Sequence, residues 1–274
     1  MTGPAELTAS KASLIRELLR DKSARESEGA FVIEGPKPIH DLTQQHADAL
    51  LAVVMTPTWL ERGDPAIRRA LQSGHLSLYQ CRDSVFERMS EVRTAQGILA
   101  VVKKPVWDQA ALFKRARLFG VFGEALQDPA NVGTIIRTAA AFGLDALWLS
   151  SDSADAYGPK VVRATAGALL KLPILSIADG PAVFARHHCD VMAAEPPGTE
   201  SVPIRQLTSR PRRAVLAVGN ESRGLSAATL QQASIRFHIP VARDVESLNV
   251  AASLAVAAFY LSGLSRDDEA DPTP

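Results

Sequence analysis

AVLAVGNESRGLS, residues 214 to 226, is an unbroken apolar run that passes directly into small, flexible and polar residues. Continuous rather than alternating apolarity is what a strand requires when helices cover both faces of its sheet. Gly219, Asn220 and Gly224 follow at once, where such a strand ends, and leave main-chain N–H and C=O groups open to a flat heteroaromatic ligand. The same kind of run recurs as LFGVF at 118–122, ALWLS at 146–150 and DVMAA at 190–194, with helical patterns at 132–143, 160–170, 180–187 and 226–233 between them. These alternations predict a parallel, doubly wound sheet. A second open strand end lies in IPVARDVESLNVAASLAVAAF, residues 239 to 259, around Ser247, Asn249 and Ala251. No G-x-G-x-x-G turn occurs, which removes the ordinary dinucleotide-binding reading of a parallel sheet and with it a nicotinamide oxidoreductase.

Outward from this half, residues 11–103 alternate helical and extended signals. LIRELLRDKSARES reads as one helix, FVIEG as a strand ending in a glycine turn, Pro38–Ala47 as a helix and LAVVM as a strand. A helix over Pro65–Gln72, a short strand HLSLY, a helix from Ser84 and the strand ILAVV follow. The expected organisation is an α/β domain at 11–103, a linker at 104–117, a second domain at 118–262 and a disordered tail at 263–274. The last helix, SLNVAASLAVAAFYLS, is apolar around nearly its whole circumference, so a face left over after packing needs another cover, such as a second subunit.

Charge is balanced, 30 basic against 30 acidic residues, so bulk electrostatics do not argue for nucleic acid. Three local clusters do so weakly: Lys11, Arg16, Arg20, Lys22 and Arg25; Lys114, Arg115 and Arg117; Arg210, Arg212 and Arg213. Solvated helices and loops explain any one of them equally well. Cys81 and Cys189 form no metal-ligand or disulfide spacing and are expected as buried thiols, without a metal. The N-terminus lacks a signal-peptide core and no run is long enough to span a membrane, so a cytoplasmic protein is expected.

The chemistry-bearing stretch is NVGTIIRTAAAFG, residues 131 to 143. Val132, Ile135, Ile136, Ala139 and Gly143 fall on one helical stripe, and Arg137 points away from it. Asn131, after Asp128 and Pro129, is placed to cap the helix, where its side chain and Arg137 would meet above the sheet edge. Taken alone, the pair reads as a cap and a solvated arginine.

Together with GNESRGLS and IPVARDVESLN, this stretch resembles the three sequence motifs of the SpoU (TrmH-like) family of RNA ribose 2′-O-methyltransferases, members of the SPOUT superfamily. The resemblance implies a C-terminal domain with a deep trefoil knot, S-adenosyl-L-methionine as methyl donor, RNA as substrate and a homodimer. It implies reaction-centre roles for Asn131, Arg137, Glu221, Ser247 and Asn249. It also implies a cofactor pocket formed by Gly219, Asn220, Gly224, Leu225, Ile239, Pro240, Val241, Ser247 and Leu248. SADAYGPKVVRATAGAL, at 153–169, is similar to the segment between the first two motifs and makes Lys160 and Arg163 candidate RNA contacts. KSARESEGAFVIEGPKPI, at 22–39, more loosely resembles the small α/β/α RNA-binding domain that precedes many SpoU domains, with Lys22 and Arg25 as its candidate contacts. One position departs from the family: Arg243 stands where a glycine is common, three residues after the motif proline. Ribosomal RNA is favoured over transfer RNA because of the preceding domain. The competing readings are a catalytically silent RNA-binding protein of the same fold and a methyltransferase that modifies a base.

Overall fold

The computed structural model describes residues 3–72, 76–92, 94–165, 167–198, 200–245 and 247–266. They divide into two compact units, Met1–Val106 with Tyr157–Leu170, and Trp107–Ala156 with Lys171–Pro274.

The first unit runs β1 (Ala5–Glu6), α1 (Ala9–Arg20), α2 (Lys22–Ser27), β2 (Ala30–Glu34), α3 (Pro36–Gln45), β3 (Leu50–Met55), α4 (Pro57–Arg62), α5 (Pro65–Gln72), β4 (Ser77–Gln80), α6 (Asp83–Met89) and β5 (Ile98–Lys103). Its five-stranded sheet has the order β1-β4-β3-β5-β2, with β5 antiparallel to both neighbours and the other pairs parallel. LIRELLRDKSARES is two helices rather than one. Asp21 adopts extended dihedrals that stop α1, and its side chain accepts the Ser23 N–H to start α2. The break turns Arg25 inward: it is 5% exposed and donates to the Leu18 carbonyl at 2.6 Å. Arg25 is therefore a strut of this unit and not a surface contact for RNA. Lys22 is exposed and lies 3.9 Å from Glu26.

The second unit contains α7 (Gln109–Phe113), β6 (Leu118–Gly123), α8 (Pro129–Ala141) and β7 (Leu147–Ser150). The next helix in the chain, α9 (Pro159–Ala164), belongs to the first unit, and then follow β8 (Ile174–Ile177), α10 (Gly180–Arg186), β9 (Asp190–Ala194), β10 (Val202–Pro203) and β11 (Ser209–Arg210). The chain continues with β12 (Arg213–Val218), α11 (Ala227–Gln232), β13 (Ala233–His238), α12 (Val250–Ser262) and β14 (Ser265–Arg266). Seven strands form one wholly parallel sheet in the order β10-β13-β9-β12-β6-β7-β8. Val121, Leu147, Trp148, Met192, Val215 and Leu216 on its inner strands are fully buried, as continuous apolar runs demand. Helix α8 lies against α12, and α10 against α11.

Three expectations change here. Residues 104–117 are not simply a linker, because α7 inserts Leu112 and Phe113 into the core of the second unit, and Phe113 stacks on Trp148 at 5.4 Å and on His187 at 4.2 Å. The stretch expected as a disordered tail begins instead with β14, paired in parallel with β11, while residues 267–274 lie outside the described residues. Two of the basic clusters are largely consumed by the fold. Arg213 donates to the carbonyls of Phe113 and His187 at 2.8 and 3.2 Å, Arg212 to that of Ala116 at 3.0 Å, Arg210 lies buried over the Phe119 ring, and Arg115 pairs with Asp145 at 2.7 Å. In the first unit α9 packs on β2, where Tyr157 contacts Phe31 and carries Lys104 over its ring; Lys160 and Arg163 remain exposed. Both cysteines are free and buried, and burial pushes the Cys81 thiol up to about 11. Among the described residues no helix is long and apolar enough to cross a membrane.

Candidate active site

The C-terminal ends of β6 and β12 meet at a network of side-chain amides and carboxylates. Helix α8 begins there with Asp128 as its cap, accepting the Ala130 N–H at 2.9 Å, and Pro129 at its first turn. Asn131 therefore does not cap the helix. It sits inside the first turn, 7% exposed, with its amide spent in two directions: Nδ2 donates to Glu221 at 3.0 Å and Oδ1 accepts from Asn249 Nδ2 at 2.9 Å. Asn249 in turn caps α12, its Oδ1 accepting the N–H groups of Ala251 and Ala252. One chain of hydrogen bonds thus joins the starts of two helices to the loop after β12.

Glu221 is the hub. Its carboxylate accepts the N–H groups of Gln127 and Asp128 at 3.3 and 3.2 Å as well as the Asn131 amide. Burial works to raise its pKa, but the Asn131 amide and the main-chain donors of Glu221, Asp128 and Gln127 outweigh it and hold the carboxyl below its ordinary value. The loop preceding α8 is held as tightly. Ala125 takes a left-handed conformation (φ 53), its N–H donates to Ser150 Oγ at 2.7 Å, and that of Leu126 donates to Ser153 Oγ at 3.1 Å. Glu124 reaches across to bind the Ser226 N–H and the hydroxyls of Ser226 and Thr229, fixing the start of α11.

The β12 loop closes on itself. Asn220 and Gly224 exchange main-chain hydrogen bonds at 3.0 and 2.9 Å, Asn220 Oδ1 accepts the N–H groups of Ser222 and Arg223, and Asn220 Nδ2 donates to the Ala125 carbonyl. A Cβ on Gly219 would lie 2.2 Å from the Gly224 carbonyl carbon and 2.3 Å from the Leu225 nitrogen. The glycine is required because the loop returns onto it, a reason distinct from the ligand approach that the sequence suggested. Gly224, with φ +70, supplies the left-handed turn.

Beside this loop lies a cavity of about 500 Å³. Gly219, Asn220, Glu221, Gly224, Leu225, Ile239, Val241, Ser247, Leu248 and Asn249 line it, so the second and third motif segments come together as expected. Pro240 is exposed and does not line it, and neither does Arg243. Asn131 stands behind Glu221 and Asn249. Arg137, six residues further along α8, is exposed and has no hydrogen-bond or ion-pair partner among the described residues, so Asn131 does not hold it. Ser247 likewise makes no such bond to Arg137. Sequence reasoning missed the opposite wall, Glu195, Pro196 and Pro197 at the end of β9, although the C-terminal end of a parallel strand is where such a wall is expected. Arg236 grips both Glu195 oxygens, at 2.7 and 2.8 Å, and also pairs with Glu200.

A family model described as the SpoU rRNA Methylase family matches residues 119–259, more than half of the chain. The chain belongs to that family. A second model, the MRM3-like substrate binding domain, matches residues 14–100. The 23S rRNA (guanosine(2553)-2′-O)-methyltransferase RlmP of Bacillus subtilis is 28% identical, over 89% of this chain and 93% of its own. A TrmH-family structure from Porphyromonas gingivalis has a TM-score of 0.75 and 29% identity, covering 93% of this chain and 98% of its own. The SpoU methyltransferase AviRb of Streptomyces viridochromogenes in complex with AdoMet shares the fold, with a TM-score of 0.81 at 23% identity over 93% and 97% of the two chains. This SpoU methylase is an S-adenosylmethionine-dependent RNA methyltransferase with an α/β fold built on a parallel sheet. Its cavity suits that cofactor: aliphatic side chains such as Leu225, Ile239, Val241 and Leu248 and the strand-end main chain at Gly219 line it together with a few polar groups.

Proposed function

We propose that this methylase transfers a methyl group to a ribose 2′-hydroxyl of ribosomal RNA, using the 500 Å³ cavity as its cofactor pocket. The observation that carries the reading is the Glu221–Asn131–Asn249 chain, which ties the three motif segments together beside that cavity. Gly219, Asn220, Gly224, Leu225, Ile239, Val241, Ser247 and Leu248 hold S-adenosylmethionine, and Pro240 shapes the loop between two of them. When bound, the cofactor supplies an electrophilic methyl on a sulfonium. The chain's part is to bring the hydroxyl oxygen into line with that methyl and to ease loss of its proton. Arg137 carries this second task. Its reference pKa of about 12.5–13.8 makes it a poor base, so it acts as a cation that stabilises the developing charge on oxygen while a phosphate or water takes the proton. Glu221, Asn131 and Asn249 spend their polar groups on this chain and on main-chain N–H groups, and hold the cavity wall rather than the substrate.

The RNA reaches the enzyme through the first unit, where Lys22, Lys160 and Arg163 are exposed cations. The enzyme works as a cytoplasmic homodimer whose second copy covers Phe142, Val256 and Phe259, which are 37%, 43% and 69% exposed on α12 and just past the end of α8. The chain after β13 threads the trefoil knot of the family. Support for this comes from α12, which lies against α8 and β12 instead of continuing outward from the sheet edge.

Arg137→Ala tests the assignment. Turnover falls by about 10³-fold, while calorimetry shows cofactor affinity retained; unchanged turnover overturns it. Alkaline hydrolysis of the product RNA stops at a ribose-methylated nucleotide and passes a base-methylated one. Comparing ribosomal and transfer RNA from cells with and without the gene identifies the substrate, and a mark found in transfer RNA alone overturns the ribosomal assignment.

A further inference from the structure

Three charged side chains line the cavity among the described residues: Glu195, Glu221 and Arg223. Both carboxylates are already spent. Glu221 accepts the Asn131 amide and two main-chain N–H groups, and both oxygens of Glu195, whose side chain is only 12% exposed, are held by Arg236. Arg223 is different. Its main-chain N–H is fixed by Asn220 Oδ1 at 3.0 Å, inside a loop that the Asn220–Gly224 main-chain pair closes, yet its guanidinium has no acidic partner among the described residues. It is exposed, so it stands at the mouth of the cavity. The cavity thus presents one guanidinium whose donors are unspent among the described residues, mounted on a closed loop. A guanidinium on such a mount matches an oxyanion, which it binds with charge-assisted, paired hydrogen bonds.

We infer that Arg223 is the cavity's contact for a ligand oxyanion, supplied by the carboxylate end of S-adenosylmethionine or by a phosphodiester beside the target ribose. This rests on the cofactor reading proposed above. Arg223 makes no contact on which the loop depends except through its main chain, so side-chain replacement leaves the loop closed.

The test compares wild type, Arg223→Gln and Arg223→Lys, with Arg186→Gln on the outer surface of α10 as a charge-matched control. Calorimetry with S-adenosylmethionine and with its decarboxylated analogue reads the first source. Filter binding of a mixed-sequence single-stranded RNA across a KCl series reads the second. If the cofactor supplies the oxyanion, Arg223→Gln weakens S-adenosylmethionine by about tenfold, leaves the decarboxylated analogue unaffected, and Arg223→Lys recovers part of the loss. If the RNA supplies it, cofactor affinity holds and the salt slope of RNA binding falls by about 0.7. Either result supports the assignment. Arg223→Gln indistinguishable from Arg186→Gln in both titrations overturns it while the cofactor reading stands, and wild type that takes up no S-adenosylmethionine overturns both.

Discussion

The two walls of the cavity are held by different forces. Residues 219–225 are fixed by main-chain exchange between Asn220 and Gly224, by side-chain amides, and by a glycine pressed against its own returning loop. Residues 195–198 and 200–201 lack regular structure and are strapped down by the Arg236 ion pairs with Glu195 and Glu200, by Ser201 Oγ against His238 Nδ1 at 2.9 Å, and by a main-chain bond from Glu195 to Phe237. Contact distances and neutral hydrogen bonds are indifferent to salt, whereas partly exposed ion pairs are screened by it. The first wall is therefore a fixed template and the second an adjustable one.

The contrast breaks most sharply at Gly219. Gly219→Ala places a methyl inside the Gly224–Leu225 backbone, and the unfolding free energy drops by about 3 kcal/mol in urea titrations, with cofactor binding lost alongside. A stable variant with native affinity shows that the template yields. A smaller effect is expected of Glu221→Gln, which removes the charge from a hub of amide and main-chain donors and costs about 1.5 kcal/mol near neutrality. Its pH dependence sharpens the comparison. The folded pKa of Glu221 lies below the unfolded one, so its contribution is complete above the ordinary glutamate value and disappears as pH falls through the folded value. Stability curves of wild type and Glu221→Gln accordingly converge on acidification; parallel curves would remove Glu221 from the network. The least change comes from Arg236→Gln, a small loss of stability in dilute buffer and a smaller one in concentrated salt. Hydrogen exchange over 195–201 rises in this variant while that over 219–225 does not, and equal change in both erases the distinction between the walls.

The inner strands of the second unit were legible because LFGVF, ALWLS, DVMAA and AVLAV are apolar without alternation, a pattern set by burial on both faces. β13 escaped notice because Ser234 and Arg236 interrupt its apolar residues, and Arg236 serves a partner 41 positions away that no local pattern reveals. α7 was hidden by the prolines and charges around two core residues. The assignment of α9 to the first unit depends on tertiary packing alone. At the site, residues of the second and third motifs line one cavity, but the capping position read for Asn131 was wrong even though the signal was present: an aspartate before a proline is itself a sufficient helix start, which frees the asparagine after it for other bonds. Arg25 was offered as an RNA contact from its basic cluster and the family resemblance, neither of which reports burial; the second helix after Asp21 buries it.

Ala125 carries a left-handed backbone that costs an L-residue roughly 1–2 kcal/mol. That kink sends the amides of Ala125 and Leu126 toward Ser150 and Ser153 and leaves the next two for Glu221. Glycine would sit there without strain, but it would also widen the unfolded ensemble and loosen the aim of four consecutive amides. For anyone re-engineering this enzyme, position 125 is thus a weak lever on heat tolerance and a sensitive one on how crisply the edge of the cavity is drawn.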